Sequence, residues 1–229
     1  MTFQRARSEE QRAVRRRAIL ATATAMLAEQ PVSQLTLNEL SRRVGLAKSN
    51  VLNYFESREA VLLELIVLET AEWLAEFEAA LSDVDPARPA AKRAEALAST
   101  VVETLTARPM LCELISAQAA VLEHNISTDI ALTFKRAAIG HSQRMVAAIL
   151  AAVPELGEEG AAQFVASAAM LAGALWTHSR PSAAMLAAYE AAPELSAVRV
   201  AFEPALRSAL DGLLFGLLPR ASSSSGSGA

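Results

Sequence analysis

Cysteine is nearly missing from this chain of 229 residues, Cys112 being the only one. A single thiol allows no intrachain disulfide and no CxxC metal site. Histidine is as scarce: His124, His141 and His178 are scattered and share no ligand spacing with Cys112, so no metal centre is expected. No HExxH, no G-x-S-x-G, no Walker-type glycine loop and no G-x-G-x-x-G occurs. Catalysis and a resident cofactor therefore have no motif to stand on. Aromatic residues make up 5%, too little for a large stacking box around a flat ligand. No run reaches the roughly 18 uninterrupted apolar residues of a membrane span, and no signal-type apolar segment follows the basic start MTFQRARSEEQRAVRRR. A protein of the reducing cytoplasm, with no membrane partner, is expected.

What the chain does have is alanine and helical periodicity. With 52% hydrophobic residues it can fill one large core or two small ones. The alanine content and the lack of strand-favouring aromatic runs predict an all-α protein. The net charge of -4 is unevenly spread. Residues 1–58 hold ten Arg and Lys against five Glu, whereas the rest hold 11 basic and 20 acidic residues. A basic head on an acidic body suits a molecule that meets phosphate at one end only.

The head is organised around Thr36 to Phe55, TLNELSRRVGLAKSNVLNYF. Thr36 with Glu39 three residues later has the form of a capping box. Leu37, Leu40 and Val44 recur at helical spacing, and Gly45 falls where a left-handed residue ends the helix. Leu46 is expected as a plug. Lys48 to Phe55 then forms a second helix with Val51, Leu52 and Phe55 inward and Lys48, Ser49, Asn50 and Asn53 outward. Two short helices across a glycine turn, the second polar and weakly basic, have the form of a DNA-reading helix-turn-helix. In front of it Val14, Ala18, Ala21 and Ala25 predict one face of a first helix, with Ile19 and Leu27 extending its buried surface, and Arg5, Arg7, Arg12, Arg15, Arg16 and Arg17 are candidates for phosphate or the minor groove, or plain solvated charge.

These residues resemble the N-terminal domain of the TetR family of transcriptional regulators. Thr36, Glu39, Leu40, Val44, Gly45, Leu46, Lys48, Val51, Tyr54, Phe55, Ser57, Arg58 and Glu59 match the family pattern directly or conservatively. Two positions depart from it. Ala47 replaces an N-capping Ser, a loss of about 1 kcal/mol, and Leu52 replaces a Tyr that often touches phosphate. The resemblance implies a sequence-specific DNA-binding regulator, a repressor released by a small apolar or amphipathic effector, with a palindromic or nearly palindromic double-stranded operator. The candidate DNA contacts are Thr36, Lys48, Ser49, Asn50, Asn53, Tyr54 and Arg58. Among them, Lys48 is assigned to phosphate and Ser49, Asn50 and Asn53 to base edges, an Asn being able to pair with adenine through two hydrogen bonds.

Three regions are predicted: a DNA-binding head at 1–58, a linking helix at about 57–82 capped by Ser57, and a helical body at 83–219 that begins at the break DVDPARP. Residues 220–229, low in apolar content, read as a disordered tail. Within the body, helices are expected over 91–106, 110–122, from the Ser127 cap to about 153, then over 161–178, 182–189 and 198–218. The stretches 161–178 and 198–218 are apolar on more than one side, which means burial against more than one partner helix, inside one subunit or across two. The family resemblance implies a homodimer through them, with Val165, Ala166, Ala169, Gly173, Phe202, Leu206, Leu210, Leu213 and Leu217 at the contact. For an effector cavity the candidate lining is Met110, Cys112, Leu114, Gln118, His124, Phe134, Met145, Met170, Trp176 and His178, every one of which can equally be ordinary core or surface. The other class that fits is a helical protein–protein adaptor, in which the amphipathic body binds a protein and the basic head is incidental.

Overall fold

The computed structural model describes residues 2–118 and 122–219, with side chains from residue 9 onward. Residues 220–229, expected as a tail, lie outside the described residues. Ten α-helices and no strand occur among the described residues, as an alanine-rich sequence of 3.6-residue periodicity requires.

Helix α1 (Thr2–Glu29) is the first of the head. Of the expected buried surface, Ile19 is buried and Leu27 packs against the head cluster, but Val14, Ala18, Ala21 and Ala25 are all exposed, and Leu20, Ala23 and Met26 complete the buried side instead. The reason is size. Turning the alanine stripe inward would bury little more than methyl groups, whereas the observed side removes three long side chains from water at roughly 1.5–3 kcal/mol each. A 3-10 turn at Val32–Gln34 leads to α2 (Leu37–Val44). Thr36 caps α2: its hydroxyl accepts the Glu39 N–H at 3.2 Å. The reciprocal half of a capping box is not made, because the Glu39 carboxylate accepts from Arg42 and Arg43 instead. Gly45 ends the helix at φ 71, the left-handed region where a side chain would be strained.

Helix α3 (Lys48–Leu52) is shorter than the expected 48–55, since Asn53 and Tyr54 form a turn. Ala47 supplies no side-chain bond to its N-terminus. Helix α4 (Arg58–Ser82) opens on Ser57, whose hydroxyl accepts the Ala60 N–H at 3.1 Å. Its first half buries Val61, Leu62 and Leu65 beside the head helices, and its second half buries Trp73, Leu74 and Phe77 in the body. Leu68 is 44% exposed at the changeover.

The body consists of α5 (Ala90–Thr106), α6 (Pro109–Ala117), α7 (Thr128–Ala152), α8 (Gly157–Ser179), α9 (Ala183–Ala191) and α10 (Phe202–Leu217). Ser127 and Ser182 cap α7 and α9 through the N–H groups of Ile130 and Met185. Helix α4 packs on α5 and α7, α8 on α6, α7 and α10, and α10 on α5. Head and body are not separate at the joint, because Leu114, Leu122 and Phe134 of the body pack into the head's own apolar cluster. The stretch Pro154–Ser179 is long and apolar enough to cross a bilayer by composition. Its Phe164, Val165, Ala168 and Ala172 are instead buried in the body core.

Candidate functional site

The end of the head presents one face of α3. Lys48, Ser49, Asn50 and Asn53 are exposed there, and Val51 and Phe55 are buried behind them at 0% and 2% exposure. Leu52, expected inward, is 40% exposed on this same polar face. A five-residue helix that anchors itself through Val51 has no inward room for a residue one position further round. An exposed Leu among amide and hydroxyl groups can meet a thymine methyl.

Arginines from α1 hold this unit in place. Arg12 donates to the Asn53 carbonyl at 2.9 Å and lies over the Tyr54 ring. Arg16 donates to the Tyr54 carbonyl at 2.5 Å, pairs with Glu64 of α4, and lies 4.1 Å from the centroid of the Phe55 ring. Both guanidiniums therefore serve the carbonyls left over at the C-terminus of α3, where positive charge also suits the helix dipole. Arg15 and Arg17 are exposed, whereas the side chains of Arg5 and Arg7 lie outside the described residues.

Two expected DNA contacts are placed differently. Arg58 points into the protein, where it donates to the Val32 carbonyl at 2.9 Å and lies 3.9 Å from Glu59. Its Nε is buried without a partner among the described residues. It joins the start of α4 to the turn before α2 and does not face the outer side of α3. Tyr54 is half-buried, its ring packed on the head cluster under Arg12. Thr36 is exposed, with its hydroxyl engaged as the cap of α2.

Both arginines of α2 are paired, Arg42 with Glu39 and Arg43 with Glu39 and with Glu29 of α1. Glu39 is held at about 2, well below the usual carboxylate range, by hydrogen bonds first from Arg42 and then from Arg43. Its folded pKa lies below the ordinary 4.5, so what it contributes to stability is present above pH 4.5 and is lost as the pH falls through about 2. Glu39→Gln should therefore lower the melting temperature slightly at pH 7, and the difference from wild type should shrink toward zero as the pH falls through about 2, as followed by circular dichroism.

In the body, the structure separates the residues expected at a subunit contact. Leu206 and Leu210 are fully buried inside the subunit, and Val165 and Gly173 are buried too. Gly173 lies against Ile115 and the Ser116 backbone of α6, a Cβ there coming within 3.4 Å of the Ile115 side chain. Phe202 packs edge-on to Trp176 at 5.0 Å, and Leu213 and Leu217 lie against the same core. Of the residues expected at the contact, Ala166 and Ala169 are exposed. Beside them Met170 of α8 is 68% exposed, and on α10 Phe215 is 83% exposed between Gly212 and Gly216.

A cavity of about 270 Å³ lies between α4, α5, α6, α7 and α8. Three of the ten residues expected around an effector line it: Gln118, Phe134 and Met145. Cys112 and Leu114 are closed core. The Cys112 thiol donates to the Leu105 carbonyl at 3.3 Å, and burial pushes its pKa up to about 12, leaving it unreactive. Met110 and Trp176 line a separate open groove of about 1170 Å³ between the end of α1 and the body. There the Trp176 indole donates to Glu113 at 2.9 Å, and Arg180 stacks on its ring. His124, Met170 and His178 are exposed. Sequence reasoning missed Thr70, His141 and Ser142, the other polar groups on the cavity wall. A signal existed on α7, where Ala138, His141, Ser142 and Met145 repeat at i, i+3, i+4 and i+7 and so form one lining stripe. No group of three or more metal-ligating side chains occurs among the described residues.

Comparison with known proteins bears on head and body alike. Residues 19–65 match the family model for bacterial regulatory proteins of the tetR family. Residues 68–221 match that of the tetracyclin repressor-like C-terminal domain. No curated protein matches the sequence. Among solved structures, the chain is similar to the fatty acid degradation regulator FadR from Bacillus halodurans at 14% identity, covering 90% of this chain and 97% of that one with a TM-score of 0.53. A TetR transcriptional regulator from Rhodococcus sp. RHA1 is similar at 13% identity, with 90% and 95% covered and a TM-score of 0.53. A tetR family transcription regulator from Shewanella sp. PV-4 is similar at 18%, with 90% and 99% covered and again a TM-score of 0.53. At such identities these likenesses speak to the fold. The family models cover the reading head and the whole body between them, and the chain belongs to the TetR family of DNA-binding transcriptional regulators.

Proposed function

We propose that the protein is a homodimeric, cytoplasmic repressor that binds a palindromic or nearly palindromic operator and releases it when a small apolar or amphipathic molecule enters the body cavity. The observation that carries this reading is the outer face of α3, where Lys48, Ser49, Asn50, Leu52 and Asn53 lie free over a buried Val51. One helix of five residues reads only a few base pairs. Two heads related by dimer symmetry fall into successive major grooves about 34 Å apart, and the site must then repeat inverted. The uncovered apolar residues of α8 and α10 support the pairing, since a lone subunit would leave Met170 and Phe215 in water. For release, α4 is the transmitter, because Ile66, Val67, Thr70 and Trp73 line the cavity while Val61 and Leu62 hold the head. A ligand that binds two head spacings unequally shifts operator affinity by that difference, typically 1–3 kcal/mol.

Selection of genomic fragments by the full chain tests the reading. Enrichment of an inverted repeat is expected, and no advantage of any fragment over scrambled DNA would leave a protein-only adaptor as the better reading. On the selected site, Lys48→Ala should weaken all sequences alike and reduce the slope of log affinity against log salt by about one. Asn53→Ala should instead cost about 1–3 kcal/mol on the operator and leave non-specific binding nearly intact. An unchanged ratio of operator to scrambled DNA would remove Asn53 from the base-reading set.

A further inference from the structure

Among the described residues, the wall of the 270 Å³ cavity contains no Asp, Glu, Lys or Arg. Its polar groups are Thr70 from α4, Gln118 at the end of α6, and His141 and Ser142 from α7. One N–H of the Gln118 amide is given to Glu123 at 2.9 Å, which leaves the second N–H to donate and the carbonyl oxygen to accept. Thr70, His141 and Ser142 make no side-chain hydrogen bond to another described residue. The Glu123–Lys135 pair at 2.8 Å and Arg144, which binds Glu78, are satisfied outside the wall. Everything else around the space is hydrocarbon, aromatic ring or the Met145 thioether.

We infer that the effector of this protein is an uncharged amphiphile of about ten non-hydrogen atoms, with one hydroxyl-type head among Thr70, Gln118, His141 and Ser142 and an apolar body against the Phe134, Phe164 and Trp73 side. This rests on reading the cavity as the effector site. Size follows from the volume, which is room for about nine waters at about 30 Å³ each. Charge follows from the wall. A carboxylate or ammonium placed there loses its hydration and finds no counter-ion. His141 on the wall is pushed toward its neutral form by burial first and by Arg144 second. Ala166 and Ala169 belong both to the wall and to the uncovered face of α8. The second subunit proposed above would cover that side and exclude water from it.

Three probes of equal size and different charge decide the matter: 1-nonanol, octanoate and nonylammonium. Binding to the full chain at pH 7.5 is followed by calorimetry and by the fluorescence of Trp73, which lies in the wall. In a Trp176→Phe background Trp73 is the only indole, the chain having two. The expected result is saturable binding of 1-nonanol, with octanoate weaker by roughly a hundredfold or more, since an acid of ordinary pKa must first take up a proton. Nonylammonium is expected to be weaker by a similar factor. Ser142→Lys should then reverse the order of 1-nonanol and octanoate, and Ala138→Phe, verified as folded by its melting curve, should abolish binding of 1-nonanol. If wild type binds octanoate as tightly as 1-nonanol while Ala138→Phe abolishes both, the uncharged class is wrong and the cavity stands as the effector site. If no probe binds, or if binding survives in folded Ala138→Phe, the cavity itself is not the site and both readings fall.

Discussion

Leu210→Asp should unfold the body and not merely dissociate a dimer. The side chain is 0% exposed, and Leu206 and Leu214 accompany it on the inner side of α10 where that helix packs on α5 and α8. The substitution removes about 2–5 kcal/mol of packed hydrocarbon and adds a carboxylate with no partner, a cost of several kcal/mol more. A domain of ordinary stability has about 5–15 kcal/mol in all. The far-UV helical signal should be lost at room temperature, or the melting temperature should fall by about 10–20 °C if the net loss is nearer 5 kcal/mol. A folded monomer of unchanged melting temperature would put Leu210 at a subunit contact and would contradict its burial within the chain.

The opposite behaviour is expected of the double change Met170→Asp with Phe215→Asp. Both residues are uncovered in the subunit, at 68% and 83% exposure, so a carboxylate at either costs the single chain little. Across a dimer contact the two charges would be buried in each subunit without partners, and pairing should fail. Light scattering should then give the 24.3 kDa of one chain in place of twice that mass, with the melting curve still cooperative. Operator affinity should fall by about a thousandfold or more, toward the level of non-specific binding, because one head alone cannot hold two half-sites. A dimer that persists would move the contact to another face. A monomer that retains full operator affinity would overturn the two-head reading.

These two substitutions also mark where sequence reading stops. The caps and the glycine turn of the head were legible residue by residue, because their signals are local. A hydroxyl three positions before an N–H, a glycine at a left-handed position and a Ser before α4 act within one helical turn, and Thr36, Gly45 and Ser57 do what their spacing implies. The family resemblance rested on those same positions. Arg58 and Leu52 lay within the same legible motif and still came out differently. Their surroundings are set by a carbonyl 26 residues away at Val32 in one case and by the rotation of a five-residue helix in the other.

In the body the periodicity of α8 and α10 established that more than one side is apolar, and nothing further. Two apolar stripes on one helix are chemically alike, so sequence could not say which turns to α5, α6 and α7 and which to a second copy. The fold assigned Val165, Gly173, Leu206 and Leu210 to the first role and left Ala166, Ala169, Met170 and Phe215 uncovered. The cavity follows the same logic, since an apolar side chain lining an empty space and one packed solid have the same sequence signature. By itself, then, the sequence determined an all-helical chain, a helix-turn-helix head with its caps and turn, and a basic end on an acidic body, because each depends on neighbours within a few residues or on composition. Only the tertiary structure decided which side of each body helix is interior, which arginines of α1 are committed to α3, and where the uncharged cavity lies. Those depend on side chains brought together from helices far apart in the chain, whose relative rotation no local pattern encodes.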